Sequence, residues 1–250
     1  MESPLGYEKT RKRKKRFLPL TGLRIDIVTL FPGFFKGPLQ ESLLEKAQAK
    51  GLVKIRAHDL RSWTHDRHKT ADDKPFGGGA GMVMKPEPIF ECVEEIGKKA
   101  WVVLLDPQGD PLSQALATKL AKKKHLVLIA GHYEGVDQRV KDHLVDQEIS
   151  VGDFITMGGE APALCLIEAV IRLMPGVLGN EESIRHESFQ TGMLEHPHYT
   201  RPREYRGWKV PEVLCSGDHK KVGLWRHHEA ERITRQKRPD LLKSSSRRKQ

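Results

Sequence analysis

The chain has 250 residues, with 43 Lys and Arg against 33 Asp and Glu, a formal net charge of +10, and 3 cysteines. That length allows one large domain or two modest ones with a real core, and the positive balance points to nucleic acid or another anionic surface. No apolar run approaches the roughly 18–20 residues of a membrane span, and Cys92, Cys165 and Cys215 lie too far apart for a disulfide framework or a CxxC knuckle.

The charge is concentrated at the two ends. Residues 1–22 carry +5 and residues 219–250 carry +8, which leaves 23–218 at −3. Lys9 to Arg16 holds seven basic residues in eight. With no alternation and no helical stripe, it reads as a disordered, solvated leader, or alternatively as an RNA-contacting arm. No apolar segment follows it, so a secretory signal is not expected and a cytoplasmic setting is.

Ordered patterning begins at Leu23. Leu23 to Phe31 alternates as a strand and stops at Pro32-Gly33. Leu39, Leu43, Leu44 and Ala47 fall at helical spacing, with Gly51 as a C-terminal stop, and Leu52 to Ala57 predicts a second strand. His58 to Gly81 is long, polar and glycine-rich and fits neither period, which in a compact domain marks a functional or mobile loop. Pro86 opens a helix to about Lys99, Trp101 to Leu105 is a buried strand, and Ser113 caps a helix to about Lys122. Leu126 to Ala130 is another buried strand, followed by a short helix at Val136 to Asp142, a strand at Leu144 to Ile149 and an apolar helix from Ala161 to Leu173. Short apolar strands alternating with helices imply a parallel sheet covered on both faces. Residues 176–200 lose all periodicity, and from Arg201 the chain is basic, with Trp225 to Arg238 reading as a basic helix.

In an open parallel sheet, ligands bind beyond the carboxyl ends of the strands. Three loops qualify here: Asp106 to Gly109, Gly131 to Gly135, and Ser150 to Glu160. Their glycines let backbone approach a ligand closely, although any one of them is equally an ordinary turn. None is GxGxxG or a lysine-bearing phosphate loop, so a dinucleotide or nucleoside triphosphate site is disfavoured. In the 58–81 segment, His and Asp match no zinc spacing. Arg67 and Lys74 suit an anionic partner, with Gly77, Gly78 and Gly79 folding tightly beside them; structural turn glycines are the alternative.

Taken in order, these motifs resemble the bacterial tRNA (guanine-N1)-methyltransferases of the knotted SPOUT class, the TrmD family. The likeness runs from Leu23 to about Leu242. It is carried by Leu30-Phe31-Pro32, Thr64 to Arg67, Asp72 to Gly79, Pro107-Gln108-Gly109 and Tyr133 to Asp137. It continues through Gly152-Asp153-Phe154, Gly158-Gly159-Glu160, Pro175 to Gly179 and His196 to Pro202.

The resemblance implies an α/β fold, a parallel-sheet SPOUT domain with a deep C-terminal trefoil knot, plus a small helical C-terminal domain. Pattern and composition set the boundaries: a basic, disordered leader at 1–22, which lies outside the likeness, the methyltransferase domain at 23–175, a flexible linker at 176–200, and a basic helical domain at 201–250 with a disordered tail, which the likeness makes tRNA-binding. The resemblance implies S-adenosylmethionine as methyl donor, held by Pro107 and Gly109 in the first loop. Gly131, Tyr133, Glu134 and Gly135 would hold it in the second. In the third, Val151, Gly152, Phe154, Thr156, Gly158 and Gly159 would do so, with Pro162 behind them. His132, where some relatives carry arginine, would steer the nucleobase, with Arg67, Gly77, Gly78 and Gly79 also on the substrate side. The substrate implied is the anticodon stem-loop of tRNA, and the target the guanine just 3′ of the anticodon, position 37. The partner is a second copy of the chain, in a homodimer with composite sites.

Guanine N1 carries a proton at neutral pH, so its methylation needs a general base. The family's linker aspartate corresponds to Glu187 here, one methylene longer; Glu182 or a water relay are the alternatives. Arg172 matches an arginine that assists at the guanine, and its other reading is a helix-end charge facing the dipole. Family members are described as Mg2+-dependent, but no dedicated metal ligand set is recognisable, and His196-Pro197-His198-Tyr199 reads as linker and packing structure. The chain stops soon after Leu242, where many relatives continue into further helices. Two other classes stay open: a SPOUT enzyme acting on a ribose or an rRNA base, and a non-catalytic RNA-binding module.

Overall fold

Strands that are apolar at successive positions can be buried only if both faces of their sheet are covered. In the computed structural model, which describes residues 22–97, 99–179 and 187–242, five parallel strands meet that condition. They are β1 (Leu23–Thr29), β2 (Val53–Asp59), β5 (Trp101–Pro111), β6 (His125–Ala130) and β7 (Gln147–Ser150), in the order β2-β1-β6-β5-β7. Two-residue strands β3 (Asp72–Asp73) and β4 (Val83–Met84) form a separate antiparallel pair.

Alternate side chains divide the core in two. Ile25, Ile27, Val103, Leu105, Leu126 and Leu128 face helices α1 (Ser42–Ala49), α3 (Gln114–Leu120) and α5 (Glu160–Ile171). Val28, Val102, Leu104, Val127 and Ile129 face α2 (Pro86–Ile96) and α4 (Gln138–His143). Crossover helices on both faces are what parallel neighbours require.

Several boundaries differ from the sequence reading, each for a local reason. β1 ends at Thr29 because its hydroxyl accepts the Phe31 N–H at 2.9 Å. α4 starts at Gln138, since Val136 bridges to Met84 and the Asp137 side chain caps the Arg139 N–H. β7 starts only at Gln147: Leu144 closes the end of α4, and the Asp146 carboxylate accepts the Val102 N–H at 2.8 Å. β5 is longer than expected. It bulges out at Asp106–Gly109 and returns, so that Leu105 and Asp110 both pair with Ile149.

Residues 187–200 contain no helix or strand. Beyond them come a hairpin of Glu204–Tyr205 with Trp208–Lys209, a short helix Glu212–Cys215, and a helix His219–Lys237 that begins six residues earlier than its basic stretch suggests. The Asp218 carboxylate caps that helix through the Lys220 and Lys221 N–H groups. Expectations for the basic leader, Glu182 and the tail beyond Leu242 lie outside the described residues.

Candidate active site

The loops leaving β6, β5 and β7, three adjacent strands, enclose a cavity of about 500 Å³, within the roughly 300–1,000 Å³ of small-molecule sites. β5 contributes Pro107. The loop after β6 contributes Gly131, His132, Tyr133, Glu134 and Gly135. The loop after β7 contributes Val151, Gly152, Phe154, Thr156, Gly158 and Gly159, and α5 contributes Pro162. Thus twelve of the thirteen positions implied for the cofactor open onto one space, together with His132.

Gly109 is the exception, and its packing explains why. It lies on the returning limb of the β5 bulge, where a β-carbon would overlap the backbone of Glu148 and Ile149. The glycine lets β5 come back against β7, and it does not line the cavity.

The back wall is made by two backbone loops in contact. Gly159 N–H donates to the Gly131 carbonyl at 2.7 Å, and a β-carbon on Gly159 would stand 2.6 Å from Ala130 Cα. Glu160, the first residue of α5, is buried below this contact. Its carboxylate accepts from the Thr29 hydroxyl at 2.6 Å and lies 2.8 Å from His132 Nε2. The His132 ring packs on Phe31 at 4.7 Å. His132 is therefore held from two sides, by Phe31 just beyond β1 and by Glu160 of α5.

Nothing in the sequence pattern singles out Lys141, yet it holds the first loop. From α4, its ammonium reaches Asp106 at 2.9 Å, Glu148 at 3.0 Å and the Gln108 side-chain oxygen at 3.1 Å, with only 9% of the side chain exposed. Burial works against the charge, but the two carboxylates outweigh it and raise the Lys141 pKa above the ordinary lysine value.

The glycine-rich segment adjoins the cavity without lining it. Gly77, Gly78 and Gly79 are exposed and all have positive φ. At the end of the segment, Glu134 N–H donates to the Met82 carbonyl at 3.0 Å and Met84 N–H to the Gly135 carbonyl at 2.9 Å. Arg67 lies on an exposed turn that Asp66 organises by accepting from Thr70 and His68. Neither Arg67 nor the three glycines share the cavity.

Arg172 and Glu187 meet each other, with the guanidinium 2.5 Å from the carboxylate and both half-buried. The Glu187 carboxylate raises the Arg172 pKa further. This pair stands at the C-terminal end of α5, whereas the cavity stands at its N-terminal end. Twelve helical residues separate the two by roughly 18 Å.

Among the described residues that line the cavity, the carboxylates do not form a magnesium site. Magnesium requires near-octahedral oxygen ligation, but Asp106 is committed to Lys141, and Glu160 to Thr29 and His132. Glu134 is a single exposed carboxylate.

A family model described as tRNA (Guanine-1)-methyltransferase TrmD matches residues 23–244. A tRNA (guanine-N(1)-)-methyltransferase of Dictyoglomus turgidum is 55% identical over 225 residues, covering 90% of this chain and 91% of that protein. Proteins of the same name from Carboxydothermus hydrogenoformans and Bacillus subtilis are 54% and 51% identical, covering 88% of this chain and 88% and 93% of their own lengths.

Proposed function

The chain belongs to the tRNA (guanine-1)-methyltransferase TrmD family, and on that premise we propose that it methylates N1 of the guanine at position 37 of tRNA, with S-adenosylmethionine as donor. It is an enzyme of tRNA modification. The observation that carries the finer reading is the cavity, where twelve positions carried over from the family converge at three adjacent strand ends.

The donor supplies an electrophilic methyl group on sulfur; alignment of the acceptor accounts for most of the remaining gain. Backbone turns at Tyr133 and Gly135, both at positive φ, and the Gly131–Gly159 contact give the cavity a fixed wall. Lys141 fixes the Asp106–Gln108 loop on the opposite side.

Glu187 removes the N1 proton, and Arg172 stabilises the negative charge that then develops at guanine O6. Their ion pair supports these roles, because it sets the carboxylate in one orientation and brings base and guanidinium together. His132 steers the guanine ring. The role given to Arg67, Gly77, Gly78 and Gly79 is to receive RNA at the cavity rim.

Base and donor cavity lie about a helix length apart in one chain, which supports a homodimer in which the Glu187 and Arg172 of one protomer complete the cavity of the other. Exposed apolar side chains beside the cavity, Tyr133, Phe154, Ile155 and Met157, support the same arrangement. The helix His219–Lys237 binds the anticodon stem-loop. Lys220, Arg226 and Lys237 carry no ion pair among the described residues, whereas Arg232 and Arg235 are paired within the helix. We place the enzyme in the cytoplasm, with the SPOUT trefoil knot formed where the 151–159 loop and α5 pack behind β6; no helix among the described residues is long and apolar enough to cross a membrane.

The test is a methylation assay on one tRNA transcript with and without guanine at position 37, followed by mapping of the product. A modification on the Watson–Crick edge of that base is expected. A ribose product, or equal activity without the guanine, overturns the assignment.

A further inference from the structure

The segment Glu195–Tyr199, whose sequence suggests only packing, gathers metal-ligating groups outside the site described above. One ligand atom each from Glu195, His196 and His198 lie within 4.8 Å of one another, the one such group of His, Cys, Asp or Glu among the described residues. His198 Nε2 already stands 3.0 Å from Glu195 Oε1, and the two imidazole rings lie 4.6 Å apart.

The placement of the His196 ring suits this arrangement. Its Nδ1 is 3.1 Å from the Pro197 carbonyl oxygen. This contact ties one ring nitrogen to the backbone and so fixes the plane of the ring. Metal-binding histidines are commonly oriented by such a bond from the other ring nitrogen.

The segment is also held in place from behind. Glu195 N–H donates to the Ser188 hydroxyl at 2.9 Å, and Leu194 N–H to the Thr234 hydroxyl at 2.8 Å. Trp225 packs at 6.3 Å from the His196 ring and 6.4 Å from Tyr199. The ligand cluster therefore sits on a framework built from the linker and the last long helix.

We propose that Glu195, His196 and His198 form a binding site for one divalent transition-metal ion, with zinc the best match. Two imidazoles and a carboxylate suit a borderline ion and leave a fourth position for water or an external ligand. They do not suit magnesium, a hard cation that takes oxygen ligands. On binding, the metal takes the place of the contact between His198 Nε2 and Glu195: neutral His198 ligates through Nε2 and keeps its one proton on Nδ1, and the carboxylate turns its charge to the ion. Arg226, which lines the adjoining cavity with His196, His198 and His227, adds a positive charge that weakens the affinity without removing a ligand.

The experiment is titration of tag-free, chelator-treated protein with Zn2+ by calorimetry and with Co2+ by visible absorption, beside His196→Ala, His198→Ala and Glu195→Gln. His65→Ala serves as a control on a distant exposed histidine. One equivalent per chain is expected. Its affinity should fall about tenfold or more in each of the three variants, with His65→Ala unchanged and excess Mg2+ unable to compete. Circular dichroism establishes that the variants are folded. Absence of a stoichiometric site, or a site that persists in His196→Ala and His198→Ala, overturns the proposal. Because the readout is binding, failure of this site leaves the methyltransferase assignment untouched.

Discussion

Arg172 and Glu187 close on each other at 2.5 Å across fifteen residues of chain, and this contact joins the end of α5 to the linker. A carboxylate held this way can take a proton from guanine N1 only if its charge is retained. Glu187→Gln keeps the shape and removes the charge. Turnover should fall by about 10²–10⁴, the usual worth of a general base, while calorimetry shows S-adenosylmethionine affinity unchanged. Glu187→Asp keeps the acid and should retain activity. Full turnover in Glu187→Gln moves the base to another group.

The separation of this pair from the cavity predicts complementation between chains. Gly158→Val blocks the cavity, since a β-carbon there would overlap His132 and the Glu160 carboxylate. Gly158→Val and Glu187→Gln homodimers should each be nearly inactive. Coexpressed at equal levels, they should recover about a quarter of wild-type activity, because half of the dimers are mixed and each has one intact site. No recovery in purified mixed dimers would place base and donor in the same chain.

Lys141 predicts a split between binding and chemistry. It touches the loop that carries Pro107, and it ties Asp106 on β5 to Glu148 on β7. Lys141→Met leaves two carboxylates close together without their cation, a costly arrangement in a buried setting. S-adenosylmethionine affinity should weaken roughly tenfold, about 1.4 kcal/mol, with the single-turnover rate at saturating donor little changed. Lys141→Arg should recover most of the affinity. A loss of rate at saturation instead would give Lys141 a part in the methyl transfer.

How legible these features are in the sequence depends on the range over which each is determined. β6 is apolar at five consecutive positions, and only a central strand satisfies that, so its burial follows from local pattern. The cavity loops are legible for the same reason, as glycine-rich breaks placed after such strands. Gly109 resembles them in composition, but its need for glycine comes from Glu148 and Ile149 on another strand, which local pattern does not contain. The extension of β5 to Pro111 likewise depends on register with β7. Arg172 and Glu187 are visible only through family resemblance, since an isolated glutamate in a linker has no signature. Asp26 is the clearest illegible case. In the alternation of β1 it occupies a polar slot and reads as solvent-facing, yet it is completely buried.

Asp26 also predicts how stability responds to acid. Burial pushes its carboxyl up, but hydrogen bonds with His58 and His125 and the ion pair with Arg24 outweigh that and hold its pKa at about 2, against an ordinary 3.8. The two imidazoles each stand 2.7 Å from it, one per carboxylate oxygen. A lowered native pKa means that the unfolded chain binds the proton more readily. The stabilisation is therefore complete above about pH 4 and is lost as pH falls towards 2, with a size of about 2 kcal/mol. Asp26→Asn removes the charge and leaves His58, Arg24 and His125 facing a neutral amide. Urea denaturation at pH 7 should show the variant less stable by at least that amount, and the gap to the wild type should narrow steadily below pH 4. A gap independent of pH would mean that Asp26 contributes by packing and hydrogen bonding, with no electrostatic share.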